Sequence, residues 1–291
     1  MRKSHRDALV ALLMLSPFLV LYIIFVIYPA IQAIYWSLYE TSIFGEVFVG
    51  FRNYERLLTG KDSIFLMTLR NTGIYAMYNV IGILLALFVA YLINLQIVNR
   101  KFTNLFHLVI LMPMVVSWVT LGLAWNYAII CNINLIKYLQ GVTIDNPLAD
   151  YILAPWALGA IILWAGLGYN TLLMLSALRG VPRVYIEAGL IDGATGFALF
   201  RYITLPLLKP ILMFLTVGAA IGAFNIFDPV ATVTFGGPGW ASSSVTWYAS
   251  RQLLYALKYG YASTLCVIAI IVVLTLSVVQ FRIFYSTERV Y

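Results

Sequence analysis

From Ala8 to Tyr35 the chain carries no charged side chain. A run of that length fits one environment well, a bilayer whose hydrocarbon core takes about 20 apolar residues per helix. It is too long for the apolar core of a secretory signal and lacks an A-x-A cleavage site, so it reads as a retained membrane helix. The basic flank Met-Arg-Lys-Ser-His-Arg-Asp precedes it, and Tyr28-Pro29 is expected to bend or end its regular part. Five more apolar runs follow, at about 72–95, 103–128, 154–178, 210–234 and 262–283. Pro113 lies inside the third, where neighbouring helices can satisfy the carbonyl it frees. Hydrophobic residues make up 63% of the 291 and charged ones only 10%, against about 25% charged in a soluble domain. The expectation is an all-α transmembrane fold, one membrane domain over 1–291 with six spanning helices. There is no internal repeat and no separate soluble domain.

A polar island interrupts the apolar pattern at 179–209. It holds Arg179, Arg183, Arg201 and Lys209 around the stretch Arg183 to Ala194. Pro182 suits the first turn of a short helix, since its missing N–H would be unpaired there. Glu187 is expected early in that helix, where the dipole favours an anion. Gly193 can take φ > 0 and end the helix. Thr195 is a candidate N-cap for a second short helix carrying Phe197, Phe200 and Ile203, which Pro206 would stop. This describes a helix–turn–helix knob able to enter a groove on a partner. A basic amphipathic loop lying on the lipid surface is the other reading of the same periodicity.

The residues of this island resemble the "EAA…G…I-LP" coupling loop of permease subunits in binding-protein-dependent, ATP-driven importers. Glu187-Ala188-Gly189 stands for EAA, Gly193 for the glycine, and Ile203, Leu205 and Pro206 for I-LP. Asp192-Gly193-Ala194 and Phe200 narrow the resemblance to the sugar-permease group, which includes maltose-type and glycerol-3-phosphate-type importers. Gly189 departs from the usual Ala and lowers helix propensity by about 1 kcal/mol. Three further segments are similar to that group in the same order. They are Gly50-Phe-Arg-Asn53-Tyr54 for "GL-NY", Thr234-Phe-Gly-Gly-Pro238 for "T-GGP", and Gly260-Tyr261-Ala262 for "GYA". The resemblance implies a type I importer permease with cytoplasmic coupling helices, forming half of a translocation path. It also implies a second homologous permease, two cytoplasmic ATPase subunits that bind ATP and Mg, and an extracytoplasmic solute-binding protein. No cofactor is expected in this chain.

Lys and Arg bias sets membrane orientation in short loops. With six spans, both termini and residues 179–209 share one side with 11 basic and 4 acidic residues. The other side has 7 of each, so the whole net charge of +7 falls on the first. That side is expected to be the cytoplasm of a bacterial or archaeal cell, with the chain multi-pass in the cytoplasmic membrane. The orientation puts the island where an ATPase would be. The charge is spread over membrane flanks rather than gathered on one face, which argues against nucleic-acid binding.

No catalytic constellation is visible, neither a nucleophile elbow nor HExxH nor paired intramembrane carboxylates. Nor does any GxxxxGK[ST] phosphate loop occur. His5 and His107 stand apart, so no metal site is expected. Whether Cys131 and Cys266 pair stays open. Asp228 would lie about 27 Å along a helix from Pro210, near the edge of the hydrocarbon rather than at a proton relay. Tyr169 falls about 14 Å from the end of the fourth span, close to mid-membrane, with Gly166 and Asn170 beside it. A ring next to amides suits a sugar, and helix packing by small residues is the competing reading. Asn225 is a similar candidate on the fifth span, with an interhelical hydrogen bond as the competing role. A glycerol-3-phosphate permease of the same superfamily, a secondary carrier or channel, and a membrane enzyme are the alternatives in function.

Overall fold

The computed structural model describes residues 2–42, 45–95, 100–140 and 145–286. Asn99, residues 141–144 of the loop before the fourth span, and Arg289 of the charge count lie outside them. The chain opens with α1 (Arg2–Tyr22), a π-turn (Ile23–Ile27) and α2 (Tyr28–Ser37). A hairpin of β1 (Tyr39–Ser42) and β2 (Gly45–Phe48) follows, then α3 (Arg52–Leu58) and α4 (Ser63–Asn94). Next come α5 (Arg100–Val115), α6 (Trp118–Gln140) and α7 (Ala154–Arg179). The polar island holds α8 (Arg183–Ile191), α9 (Phe197–Leu199), a second π-turn (Phe200–Thr204) and α10 (Leu205–Leu207). The last part holds α11 (Lys209–Phe224), a third π-turn (Val230–Thr234), α12 (Val245–Leu254) and α13 (Tyr259–Ser286).

Among the described residues, four helices are long and apolar enough to cross a membrane: Val10–Ser37, Ser63–Asn94, Ala154–Arg179 and Tyr259–Phe284. Two bent pairs bring the number to six if each pair counts as one span. The first span does not end at Pro29. A wide turn forms before it, with the Tyr28 N–H bonded to Ile23 O, and the helix runs on to Ser37.

Two expected spans are broken. In place of one helix over 103–128, Leu108–Val115 and Trp118–Leu135 meet at 114°. Pro113 removes a helical hydrogen bond just before the break, and Ser117 starts the new helix. Its hydroxyl accepts from the Thr120 N–H at 3.4 Å, as an N-cap does. In place of one helix over 210–234, α11 stops at Phe224 and the chain turns through Asn225. Pro229 has no N–H with which to reach Asn225 O, which removes one helical hydrogen bond at this turn. The second span also starts earlier than expected, at Ser63 instead of about 72.

The chain divides into two compact units. The first comprises Met1–Asp62 and Ala249–Ile270. Its centre is a polar knot at the end of α2. Asn53 Nδ2 donates to Ser37 O and Tyr39 O, each at 3.0 Å, while Tyr54 and Ser37 share a hydroxyl bond of 2.7 Å. Thr264 Oγ1 donates to Ser37 O at 3.1 Å, and Gly260 N donates to Thr41 Oγ1 at 2.8 Å. A side chain at Gly260 would strike Tyr39 O, so only glycine lets α13 start there. Tyr261 donates to the buried Asp62 carboxylate, and the Arg56 guanidinium lies 4.9 Å over the Tyr261 ring. Two motifs far apart in sequence, Asn53-Tyr54 and Gly260-Tyr261, thus tie the same helix end.

The second unit comprises Ser63–Tyr248 and Ile271–Tyr291. Here α4 packs along α7, with α11 against α4 and α5 against α7. Small residues set the closest approaches, as expected where lipid supplies no hydrophobic drive. A Cβ on Gly168 would sit 2.5 Å from Ile110 O, and one on Gly122 would sit 2.6 Å from Thr232 O. The segment after the α11 break folds back into a core of Tyr75, Leu158, Ile161, Val230 and Trp247. Asn71, fully buried on α4, donates to Ala241 O at 2.7 Å and Ser243 O at 3.0 Å. Tyr75 Oη donates to Ser242 O at 2.6 Å, and Val245 N donates to Thr72 Oγ1 at 3.2 Å. Asn71→Leu leaves those carbonyls without a donor in a dry site, a cost of about 1–3 kcal/mol. Thermal unfolding of the purified chain should show a lower midpoint for Asn71→Leu than for a Leu substitution at exposed Met77.

Candidate functional site

The polar island forms a helical hairpin. Pro182 sits at the N-cap of α8, just ahead of the first turn, with φ −62° and ψ 131°. Glu187 is not early in α8. It is mid-helix and exposed, and the first turn holds no acid, so the helix dipole does not explain it. The end of α8 follows the expectation. Gly193 has φ +84°, its N–H bonds Leu190 O at 3.1 Å, and the Ala194 N–H bonds Gly189 O at 2.8 Å. That is the double bond of a Schellman motif.

The second leg departs from the sequence reading in two places. Its N-cap is Gly196, at φ +52°, and Thr195 makes no side-chain cap. Pro206 does not stop the helix. The π-turn Phe200–Thr204 precedes it, with Leu205 N bonded to Phe200 O, and the regular run Phe197–Leu207 continues past it. The turn comes at Leu208, where α11 leaves at 66°. Gly189 is a contact position rather than a weak helix former. A Cβ there would run into Ile203 Cδ1 and sit 3.1 Å from Leu199 Cδ1, so its absence lets the two legs close. The candidate residues therefore separate by place. Glu187, Ala188, Asp192 and Gly193 are exposed, Gly189 is buried, and Ala194, Ile203, Leu205 and Pro206 are half-buried. Val184, Ile191, Phe197 and Tyr202 add an exposed apolar surface that the sequence reading did not single out.

A second feature is a cavity of about 330 Å³ within the α4, α7 and α11 packing. It brings together three of the four expected solute-path residues, Gly166, Tyr169 and Asn170. Asn79 and Ile83 of α4 and Phe214 and Gly218 of α11 complete most of the wall. Tyr169 is 47% exposed. Asn79 Nδ2 donates to Ala219 O at 3.3 Å, which fixes its amide across the α4–α11 contact. Gly166 and Gly218 have no atom within 4 Å of an added Cβ, so the wall is open there. Asn225 does not belong to this lining. It caps α11 through its backbone, is exposed, and makes no interhelical hydrogen bond among the described residues. Asn79 and Gly218 were missed because only tertiary packing relates them to α7. A lone amide in an apolar span was the available signal.

Asp228 is exposed, beyond the α11 break. Cys131 and Cys266 are free thiols. Among the described residues no cluster of three His, Cys, Asp or Glu could hold a metal.

Gly193→Val puts a β-branched residue at φ +84°, a conformation costing about 1–3 kcal/mol. No atom lies within 4 Å of the added Cβ, so the cost is backbone strain alone. Protease protection of the spanning helices should be unchanged, while cleavage within 183–204 should quicken. Equal cleavage rates would contradict the assignment of Gly193 as the helix terminator.

The model of the family "binding-protein-dependent transport system inner membrane component" matches residues 79–288. The trehalose/maltose transport system permease protein MalF of Thermococcus litoralis is 31% identical over 287 residues, covering 96% of this chain and 95% of that protein. The lactose transport system permease protein LacF of Rhizobium radiobacter is 29% identical, covering 92% of each. The sn-glycerol-3-phosphate transport system permease protein UgpA of Pectobacterium atrosepticum is 28% identical, covering 97% and 96%. A chain of a solved bacterial ABC transporter for import of alginate superposes with TM-score 0.82 at 17% identity, over 98% of both chains.

Proposed function

The chain belongs to the family of binding-protein-dependent transport system inner membrane components, and we propose that it forms half of the translocation path of an ATP-driven importer for a neutral sugar or oligosaccharide. The observation that carries this reading is the cavity. Tyr169 offers a ring face, Asn79 and Asn170 offer amides, and among the described residues no charged side chain lines it. Rings stack on sugar C–H faces and amides bond hydroxyls. A phosphate would call for Arg, Lys or a helix N-terminus instead. The glycerol-3-phosphate alternative is therefore less well supported, although such permeases are among the relatives. A carrier driven by protons would call for a carboxylate on its solute path, and among the described residues no Asp or Glu lines this cavity.

The partners in this reading are a second homologous permease, two ATPase subunits that bind ATP and Mg, and an extracytoplasmic solute-binding protein. A solved alginate transporter with 18% identity to this chain is described in complex with a pentasaccharide-bound periplasmic protein, which supports the last of these. Hydrolysis belongs to the ATPases, which would engage the hairpin of α8 to α10. Glu187, Ala188 and Asp192 face outward for that contact, and Gly189, Gly193 and Ile203 hold the shape. The chain would sit multi-pass in an inner membrane, with the 11-to-7 basic bias placing both termini and the hairpin in the cytoplasm.

Three measurements test this. With Cys131 and Cys266 replaced by Ser, an impermeant thiol reagent on intact cells should label Gly60→Cys and spare Leu190→Cys. The reverse pattern would invert the orientation. Mass spectrometry of the solute carried by the co-purified binding protein should find a neutral saccharide, and a phosphorylated solute would overturn the neutral-sugar reading. Tyr169→Ala should cut uptake per assembled complex by about tenfold, equivalent to ~1.4 kcal/mol, while assembly stays normal. Normal uptake per complex combined with poor assembly would reduce Tyr169 to a packing residue.

A further inference from the structure

The hairpin at 183–207 is tied to the rest of its unit in an unusual way. Among the described residues, no hydrogen bond or ion pair runs from 183–204 to α4, α7 or α11. Its polar bonds are all internal or to the adjoining turn. What reaches across is a ring. Phe200 meets Tyr91 of α4 with centroids 4.6 Å apart and planes at 57°, and Phe197 lies 6.3 Å from Phe200 on the other side. Tilted ring pairs of this kind are specific in geometry and do not depend on hydrogen bonds.

Two more observations bear on this contact. Phe200 is the first residue of the π-turn Phe200–Thr204, so the ring sits where the helix is locally widened. Such turns recur at functional positions. On the other side, Tyr91 shares α4 with Asn79 and Ile83, which line the cavity about 18 Å and 12 Å further along the helix. An unbroken helix packed along α7 passes a displacement along its length, so a shift at Tyr91 is felt at Asn79. The second route from hairpin to cavity passes through the buried hinge at Leu208 into α11. That route bends by 66° at a break, whereas the α4 route runs through one unbroken helix.

We propose that Tyr91 is a positioning residue that couples the hairpin to the cavity, its ring contact with Phe200 passing hairpin tilt to α4. This rests on the reading that the hairpin engages the ATPases. The ring alone carries the effect, because the Tyr91 hydroxyl has no hydrogen-bond partner among the described residues.

The experiment uses the complete complex in proteoliposomes, with uptake and ATP hydrolysis measured together under stimulation by the solute-loaded binding protein. Tyr91→Ala should lower solute moved per ATP by about fivefold or more, the low end of typical coupling. Tyr91→Phe should keep the wild-type ratio. Phe200→Ala should reproduce Tyr91→Ala, and the double variant should be no worse than either single one, as for residues acting through one contact. A purely structural ring would lower the yield of complex and leave solute per ATP unchanged, and that result overturns the proposal. So does a double variant whose losses multiply. If Tyr91→Ala does not assemble, Tyr91→Leu carries the same comparison with most of the volume kept. Gly193→Val is run beside them. If it too leaves solute per ATP unchanged, the hairpin is not the coupling element. If it uncouples and Tyr91→Ala does not, only the ring contact is refuted.

Discussion

Carbonyl groups freed inside an apolar bundle have no water to turn to, and each left unmet costs several kcal/mol. The two broken spans create several such groups. Where α11 ends, Phe224 O accepts from Thr246 Oγ1 and Ile226 O accepts from Ser244 Oγ. Asn126 Nδ2 donates to Val233 O at 2.9 Å, and Ser242 Oγ donates to Gly237 O at 2.6 Å. Asn71, Thr72 and Tyr75 of α4 meet the stretch 241–245. The run Ser242-Ser243-Ser244 in an otherwise apolar chain is explained by this demand. Each hydroxyl is fully buried in its residue and each reaches a carbonyl or a neighbouring hydroxyl. The irregular segment is thereby hydrogen-bonded along much of its length, in good part to α4.

That dependence also marks what was legible in the sequence. Hydrocarbon thickness imposes span length, so apolar runs report spans directly, and the ends of α7 lie within a residue of expectation. Breaks are harder to read. Pro113 is compatible with a tolerated kink or with a break, and the choice depends on whether Ser117 finds a helix to cap. Asn225 and Pro229 gave a clearer sign, because two positions four apart lost a helical bond, yet the apolar run around them masked it. In the hairpin, Gly193 was legible because φ > 0 is a local property. Gly189 was misjudged because its importance is a contact with Ile203, and propensity carries no information about contacts. Glu187 was placed too early because α8 is short: it runs only from Arg183 to Ile191, so its fifth residue already lies mid-helix.

The cavity shows the same division. Gly166, Tyr169 and Asn170 share one stretch of one helix, so periodicity alone could gather them. Asn79 and Gly218 come from α4 and α11, whose register against α7 is set by small residues meeting backbone and rings. Gly159 lies against the Tyr78 ring one residue before Asn79, and Gly82, one turn later, lies 3.7 Å from Leu163 and 3.8 Å from Asn170 as measured to an added Cβ. Shifting α4 by one residue would turn Asn79 away from Tyr169. The polar content of the cavity is thus decided by where glycines permit helices to touch.

The wall at Gly166 and Gly218 is bare, and its volume of about 330 Å³ is at the lower end of what small-molecule sites enclose. A site that buries most of a ligand needs walls on every side, and here one side has none. On the proposed reading, a second permease supplies it, and the solute is enclosed only while the two subunits stand close. Specificity would then divide between two chains, this one offering a neutral, ring-and-amide face. A path built this way can release its cargo by separating the faces. On that reading the hydroxyl-bonded scaffold around α4 can stay intact through the cycle.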